Sequence, residues 1–331
     1  MTAPRLRLAL AEGALPLPAA GRIAVFHPRA DLDLAALPKD RLEVIQPLQP
    51  LHDDLAAQGY RMASVAEGPY AAALVVLPRA KALAHALVAE AARTLEPGGL
   101  VIVDGQKTDG VESLLRDLRR RVAVSAPVSK AHGKLFWFGA DDSLGDWAAP
   151  DRQTAEGGFV TAPGVFSADA PDPGSQALAA ALPARLPSVM ADLGAGWGYL
   201  ATRVLERPGV ERLHLVEADR NALDCARVNV TDPRAVFHWA DVRRWRPDGP
   251  LGGIAMNPPF HTGRAADPDL GRAFIAAAAG MLAPGGRLWL VANRHLPYEA
   301  DLGRHFGTFR EIGGDPRYKV LEAARPVRRP R

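Results

Sequence analysis

The chain has 331 residues, a formal net charge of +3 and 48% hydrophobic residues, values typical of a water-soluble globular protein with room for two domains. No apolar run reaches membrane-spanning length, and the first twelve residues lack the apolar core of a signal peptide, so we expect a cytoplasmic protein. The one cysteine, Cys225, excludes an internal disulfide, and we expect it to be a small buried side chain on a helix. The histidines are scattered without metal-ligand spacing, which predicts no metal.

Arginine is clustered in three segments: Arg116, Arg119, Arg120 and Arg121; Arg243, Arg244 and Arg246; and Arg325, Arg328, Arg329 and Arg331. Such clusters can neutralise phosphates, but solvated helix faces and chain ends have the same appearance. Charge alone therefore leaves nucleic-acid binding open.

Short apolar runs alternate with alanine-rich helical stretches in the first half of the chain. The pattern predicts strands at 23–26, 42–46, 74–77, 100–103, 122–126 and 134–138, and helices at 81–95 and 111–120. Strand and helix in alternation indicate an α/β fold with a parallel sheet covered on both faces. Glycine, proline and acidic residues dominate 140–174, which we interpret as a boundary region between domains at 1–145 and 146–331.

The second half repeats the alternation. It predicts strands at 189–193, 213–217, 236–240, 254–257 and 288–292, and helices from 199 to about 205, at 221–230, at 270–282 and at 299–306. Two further strands, 309–312 and 318–321, flank Gly313 and Gly314. They predict an antiparallel hairpin that closes an otherwise parallel sheet.

An internal repeat connects the two halves. Residues 94–103 and 281–291 share a helix end, a Pro-Gly-Gly turn and an apolar strand, and the preceding strands end at Pro78 and Pro258. The pattern predicts two copies of one fold, although common helix-turn-strand sequences can also produce it. The first copy has no glycine-rich loop and no Asn or Phe at its proline turn, so we expect the chemistry in the second copy only.

A glycine-rich loop follows the first strand of that second copy and precedes a helix. It contains Gly194, Ala195, Gly196 and Gly198. Glycines let the backbone approach a ligand closely, and the helix N-terminus offers free N–H groups. Asp192 precedes the glycines, where it would repel a pyrophosphate but accept a hydrogen bond from a cationic amino group.

Acidic residues also end the next two strands. Glu217, followed by Ala218, is placed to accept from two ribose hydroxyls, and Asp241, followed by Val242, from an adenine amino group. Carboxylates at such positions can instead cap helices, as Asp219 or Asp241 would do. Three acids at three successive strand ends, one beside a glycine loop, favour S-adenosylmethionine as the cofactor.

The last of these strands stops at Asn257-Pro258-Pro259-Phe260. Prolines cannot continue a central strand, so the chain leaves the sheet there in a stiff turn that can present the Asn257 amide. Alone, this motif is equally consistent with an ordinary strand-ending turn.

With these features the sequence resembles the class I methyltransferases, and more closely the RsmC-type ribosomal RNA guanine-N2 methyltransferases. The resemblance covers roughly residues 157–325 and is carried by four segments: Phe166-Ser167 with Asp172-Pro173-Gly174-Ser175, residues 257–263, residues 291–298, and Tyr318-Lys319-Val320-Leu321. Arg294-His295 departs from the apolar or aromatic residue usual in that family and is expected to alter the rim of the target pocket. The resemblance implies two tandem Rossmann-like methyltransferase domains, of which the first is degenerate and assists RNA recognition or folding.

The resemblance also implies the roles of individual residues. Asn257, which also belongs to the cofactor site, and Pro258 would accept the two N–H groups of the target amine through the Asn257 side-chain oxygen and the Pro258 carbonyl, and Phe260 would stack on the base. Pro259, His261, Asn293 and Tyr298 would line the substrate side. The expected partner of this monomeric enzyme is ribosomal RNA or the small ribosomal subunit.

Three other functions remain open at the level of sequence. The same Asn-Pro-Pro motif suits a large-subunit guanine or the amide of a protein glutamine, although the glutamine enzymes favour Tyr at the position of Phe260. A non-catalytic RNA-binding assembly factor with this fold would have no physical need for Asp192, the glycine loop, Glu217 and Asn257 together.

Overall fold

The computed structural model describes residues 3–30, 32–148, 152–259, 261–262, 265–266 and 268–327. The chain divides into two compact units, Met1–Asp151 and Arg152–Arg331. The division falls slightly beyond residue 145, where composition predicted the first domain to end. Within the described residues, none of the helices combines the length and apolar character needed to span a bilayer.

The first unit is a mixed sheet with helices packed against it. Its elements are α1 Ala3–Ala11, β1 Ile23–Phe26, β2 Leu42–Ile45, α2 Gln49–Ala57, β3 Arg61–Ala63, β4 Tyr70–Val76, α3 Lys81–Arg93, β5 Leu95–Gln106, α4 Val111–Leu118, β6 Val128–Lys130 and β7 Gly133–Gly139, with 3-10 turns at Lys39–Arg41, Lys107–Asp109 and Asp142–Trp147. The described strands form a seven-stranded sheet in the order β3-β2-β1-β4-β5-β7-β6. β7 pairs antiparallel with both β5 and β6, and the other pairs are parallel.

The second unit has the larger set of elements. They are β8 Gln153–Thr154, a 3-10 turn at Glu156–Gly158, β9 Val160–Thr161, α5 Pro173–Ala181, β10 Val189–Leu193, α6 Tyr199–Leu205, β11 Arg212–Glu217, α7 Arg220–Asn229, β12 Ala235–Trp239, β13 Leu251–Met256, β14 His261–Thr262, β15 Ala265–Ala266, α8 Pro268–Met281, β16 Leu282–Asn293, α9 Glu299–His305, β17 Phe306–Gly314 and β18 Tyr318–Pro326. Its main sheet, again of seven described strands, runs β12-β11-β10-β13-β16-β18-β17. Only the pairs β16–β18 and β17–β18 of this sheet are antiparallel among the described residues.

Counted from the first strand of each sheet, both units have the same strand order. In both, the register shifts where the long fifth strand begins at its Pro-Gly-Gly turn, between Tyr70 and Ala72 in one sheet and between Leu251 and Gly253 in the other. The predicted α/β class, the repeat and the closing hairpin are confirmed.

Apolar side chains on both faces explain why the central strands are continuous hydrophobic runs. In β16, Leu288 and Leu290 join the core beneath α8, whereas Trp289 and Val291 join the core beneath α5 and α6. Side chains alternate between the faces of a strand, so one strand supplies both cores.

The sequence reading was wrong about some elements. Residues 122–126 form no strand, and the edge strand is β6, which follows Pro127. Ser125 makes a single backbone bond to Trp137, and Val122 is buried beneath α4, which explains the apolar run. Helices α1, α2 and α5 were missed, although Asp172-Pro173 at the start of α5 has the residue types of a helix N-terminus.

Candidate active site

A cleft opens at the carboxyl ends of β10 and β13, where parallel strands bring their terminal residues to one edge of the sheet. The space in the cleft, counted together with the open solvent at its mouth, is about 420 Å³. The cleft is lined by Phe166, Ser167, Asp172, Ser175, Asp192, Gly194, Ala195, Gly196, Trp197, Tyr199, Leu200 and Asn257. Asp192 and the glycine loop that follows it therefore meet the Asn257 turn, which lies much later in the sequence, at one site.

The glycine loop is fixed to the neighbouring strand. The backbone N–H groups of Gly194 and Ala195 both donate to the Val216 carbonyl, at 2.8 and 3.2 Å. Gly196 has a φ of +54° and nothing within 4 Å of the position that a Cβ would take. Gly198 has a φ of +94°, and a Cβ there would lie 2.8 Å from Cγ2 of Val230. Gly196 thus leaves space beside the cleft, while Gly198 lets α6 start close to the end of α7.

Asp192 is the most unusual charge in the cleft. Its side chain is 1% exposed, and neither carboxylate oxygen has a hydrogen-bond partner among the described residues. Burial, together with the negative charge of Glu217, raises the pKa of Asp192 to about 8. An unpaired buried carboxylate is costly, and a cationic amino group would remove that cost. The site therefore fits a ligand that carries an ammonium group.

Glu217 ends β11 and is partly buried. Its Oε2 accepts from the Gly196 N–H and its Oε1 from the Asp219 N–H, both at 2.8 Å. Burial raises its pKa to about 7, although these N–H groups oppose the rise. Each oxygen retains a lone pair, so the carboxylate can also accept from hydroxyl groups of a ligand.

Asp241, Ala218 and Val242 lie outside the residues that line this cleft, at the ends of β11 and β12. Asp241 accepts four hydrogen bonds from Arg243, at 2.7 to 2.9 Å. Burial alone would raise the pKa of Asp241, but these bonds and the arginine charge lower it. Ala218 accepts from the Trp239 indole at 2.8 Å, which joins the two strand ends, and Val242 is buried.

Asn257 follows β13 and lines the cleft. Its Nδ2 donates to Asp172 Oδ2 at 2.8 Å and to Ser175 Oγ at 2.9 Å. Pro258 is buried and Pro259 is exposed. Phe260 lies outside the described residues, and His261 is described only as part of the backbone pair β14–β15.

Seven residues that line the cleft had been given no role from the sequence: Phe166, Ser167, Asp172, Ser175, Trp197, Tyr199 and Leu200. Phe166 is 59% exposed, and its carbonyl accepts from the indole N–H of Trp197 at 3.0 Å. Phe166, Ser167, Asp172 and Ser175 lie in a segment that carries the family resemblance, and Trp197 lies within the glycine-rich loop. No local pattern indicated the contacts of these residues, because the contacts join distant parts of the chain.

Asn293 and Tyr298, the other two residues predicted to line the substrate side, lie in different environments. Asn293 is partly buried at the carboxyl end of β16, whereas Tyr298 is 1% exposed and belongs to the core under α8, beside Gly271. The structure therefore places Tyr298 in the interior rather than on the crevice wall. Arg294 binds the carbonyls of Asp315 and Tyr318 and the carboxylate of Glu311, so its guanidinium fastens the turn between β17 and β18.

Among the described residues, no group of three or more histidine, cysteine, aspartate or glutamate side chains is arranged to hold a metal ion. Cys225 is buried on α7, as expected, and burial raises the pKa of its thiol to about 11.

Comparisons with known proteins agree with this geometry. Residues 156–322 match the family model of the methyltransferase small domain. The chain is 32% identical to ribosomal RNA small subunit methyltransferase C of Shewanella pealeana over 262 residues, which cover 75% of each protein. It is 29% identical to the protein of that name from Shewanella sp. strain MR-7, over 90% of this chain and 93% of the relative.

A solved structure is similar over nearly the whole chain. It is the T. thermophilus 16S rRNA N2 G1207 methyltransferase in complex with AdoMet and guanosine, with a TM-score of 0.80 and 25% sequence identity. The similarity covers 98% of this chain and 91% of the T. thermophilus chain.

Proposed function

We propose, because this chain belongs to the methyltransferase small-domain family and to the family of ribosomal RNA small subunit methyltransferase C, that it transfers a methyl group from S-adenosylmethionine to the exocyclic N2 amine of a guanine in 16S ribosomal RNA. The observation that carries the proposal is the shared cleft. It holds Asn257, which can face an amine, and the buried carboxylate of Asp192, which has no hydrogen-bond partner in the described part of the chain and can face the cofactor.

S-adenosylmethionine would supply an electrophilic methyl group: the amine lone pair would bond to the methyl carbon, the C–S bond would break to leave the neutral thioether of S-adenosylhomocysteine, and the methylated nitrogen would release one proton to solvent. Asp192 would accept from the cofactor's ammonium group, and Glu217 from its ribose hydroxyls. Gly194, Ala195, Gly196 and Gly198 would let the backbone lie against it. We place the adenine near Ala218, Asp241 and Val242, where Arg243 and the ligand would share the Asp241 carboxylate.

An exocyclic amine on guanine is a poor nucleophile because its lone pair is delocalised into the ring. Donation of its two N–H groups to the Asn257 side-chain oxygen and the Pro258 carbonyl would align that lone pair with the methyl group. We propose that Phe260 stacks on the base and that Pro259, His261 and Asn293 border it. Tyr298, buried beneath this region, would support it without touching the base.

The substrate would be ribosomal RNA or the small subunit, which places the enzyme in the cytoplasm. We propose that it works as a monomer without a metal, and that the first unit helps to recognise RNA or to support the second. The curated relatives support the RNA substrate through their names.

Methyl transfer to small subunits that lack the modification tests this function. We expect the wild-type protein to move labelled methyl groups from S-adenosylmethionine into N2-methylguanosine of 16S ribosomal RNA. Asn257→Ala should lower the rate by about 100-fold or more, because the amine loses one of its two acceptors. Gln58→Ala, which removes an exposed amide from the residue that follows α2, is the matched control and should keep the rate.

Absence of label in the RNA of the wild-type reaction would overturn the proposal. Label recovered in a protein fraction as methylglutamine would assign the same cleft to a protein amide instead.

A further inference from the structure

We infer that Asp172 and Ser175 are positioning residues that fix the orientation of the Asn257 amide. This inference rests on the proposed function, since it assigns the two residues a part in presenting the acceptor oxygen to the target amine. Neither residue needs to touch substrate for this role. Both act through Asn257, from a position 85 and 82 residues earlier in the chain.

The two hydrogen bonds favour one orientation of the Asn257 side-chain amide. The amide nitrogen of Asn257 has two N–H groups, and both acceptors within reach, Asp172 Oδ2 and Ser175 Oγ, lie on its side. A flipped amide would turn its oxygen toward a carboxylate oxygen, which is repulsive. The oxygen is thus left to face a donor in the cleft.

The Asp172 carboxylate is itself held in place. Its Oδ2 accepts from the backbone N–H of Ser175 at 2.8 Å, which makes Asp172 the N-cap of α5. A Cβ at Gly174 would lie 2.9 Å from Asp172 Oδ2 and 3.2 Å from Cε1 of Tyr318, so the first turn of α5 is packed tightly around this carboxylate. Burial and the negative charge of Asp172 raise the pKa of Tyr318, in keeping with that proximity.

The helix beneath the cap is anchored in the core. Leu178 and Ala179 of α5 and the following Leu182 are buried against the sheet, in the same cluster as Trp289 of β16. The acceptors for Asn257 therefore stand on a packed element rather than on a free loop. A rigid support of this kind is what a catalytic side chain needs in order to keep its geometry.

Three variants separate positioning from folding. Ser175→Ala removes one acceptor and leaves the cap, because the cap bond uses the Ser175 backbone. Asp172→Ser keeps a good N-cap residue but withdraws the carboxylate from Asn257. Asn257→Ala combined with Asp172→Ser closes a double-mutant cycle. Ser188→Ala, at an exposed serine before β10, and Asp141→Ser, at the cap of the 3-10 turn Asp142–Trp147, are the matched controls.

Single-turnover methyl transfer is the first measurement. We expect the rate to fall about 3- to 10-fold in Ser175→Ala and about 10- to 100-fold in Asp172→Ser, with little change in cofactor Kd or in Tm. In the Asn257→Ala background, Asp172→Ser should have almost no further effect. Full additivity of the two losses, or an unchanged rate in both single variants, would overturn the inference.

Nuclear magnetic resonance of the side-chain amides gives a reading that needs no RNA. The Asn257 amide protons, identified by their loss in Asn257→Ala, should exchange slowly with water in the wild type and quickly in Ser175→Ala and Asp172→Ser. Fast exchange in the wild type would contradict the inference. If Asp172→Ser fails to fold, the rate and exchange of Ser175→Ala decide. Failure of the wild type itself to methylate RNA would instead overturn the proposed function.

Discussion

At the scale of single residues, the buried carboxylate of Asp192 opposes folding and favours binding of a cationic ligand. This carboxylate is buried and has no hydrogen-bond partner among the residues that the structure describes, so it destabilises the protein when it is ionised. Burial and the negative charge of Glu217 raise its pKa to about 8. The same isolation leaves it ready for a cationic ligand. A loss of folding stability of this kind is expected at functional sites, where binding of the ligand offsets it.

Replacement of Asp192 by Asn should therefore stabilise the cofactor-free protein. In the unfolded chain the Asp192 pKa is near 3.9, and in the fold it is about 8, so the wild type loses stability as pH rises through that window. Glu217, with a pKa of about 7, acts in the same direction in both proteins. We expect the Tm advantage of Asp192→Asn to grow between about pH 5 and about pH 8, while its cofactor Kd rises at least about 10-fold.

Thermal unfolding across that pH range checks the first expectation, and calorimetric titration with S-adenosylmethionine checks the second. A Tm difference that does not vary with pH would contradict the raised pKa. Asp232→Asn is the control. Hydrogen bonds from Arg234 lower the pKa of the partly exposed Asp232 carboxyl to about 2, so removal of this carboxyl should not raise the Tm.

Site residues could be predicted from the sequence where the pattern that marks them is local, and could not where their role depends on a contact between distant parts of the chain. Asp192 and Glu217 could be predicted as site residues because strand ends and a glycine loop are local patterns, and parallel strands necessarily bring those ends together. The bond from Asn257 to Asp172 spans 85 positions and depends on where α5 docks. No local pattern contains that information, so Asp172 entered only through a resemblance and without a role.

At the scale of elements, the glycine loop has two different requirements within three residues. Gly196 borders open space, whereas Gly198 lies against Val230. Both have positive φ, which costs an L residue about 1 kcal/mol or more. Only the second site adds a packing clash.

Alanine at these two positions should therefore separate binding from stability. Gly198→Ala should lower the free energy of unfolding by about 2 to 4 kcal/mol, through overpacking and backbone strain together. Gly196→Ala should cost about 1 kcal/mol but weaken S-adenosylmethionine binding by more than Gly198→Ala does. Denaturant unfolding and calorimetric titration measure the two effects, and equal stability losses would contradict the contact described at Gly198.

Elements were predictable where the apolar pattern was strong, as in the buried central strands β4 and β10. Residues 122–126 were predicted to form a strand because they include apolar residues. Val122 instead packs beneath α4, which explains an apolar residue at that position without a strand. Helix α5 was missed because proline and glycine in its first turn suggested a loop, although proline fits a helix there.

At the scale of the whole molecule, the two units share a strand order but differ at the corner where a cofactor would lie. The first unit has His27-Pro28-Arg29 after β1 in place of a glycine loop. The Gln46 side chain donates to the Pro28 carbonyl at 2.9 Å, and Arg29 pairs with Asp109 at 2.8 Å. Side chains thus occupy the strand ends that the second unit leaves open.

We accordingly expect one S-adenosylmethionine per chain. Calorimetric titration of the full protein should give a stoichiometry near one. Asp192→Asn should weaken this single binding event rather than halve the stoichiometry, because side chains occupy the corresponding strand ends of the first unit. Arg29→Ala is the control and should leave both the stoichiometry and the Kd unchanged. A stoichiometry near two would show that the first unit retains a cofactor site.

The shared strand order also has a consequence for how the chain folds. Two sheets with the same order in one polypeptide give each strand an alternative partner in the other copy, and such misassembly is a known failure of repeated domains. The first copy is complete before the second is synthesised, so its strands can pair before competitors exist. The sequence differences between the two copies then bear on folding as well as on binding, because they make the strands of the two halves poor substitutes for each other while the nascent chain is being made.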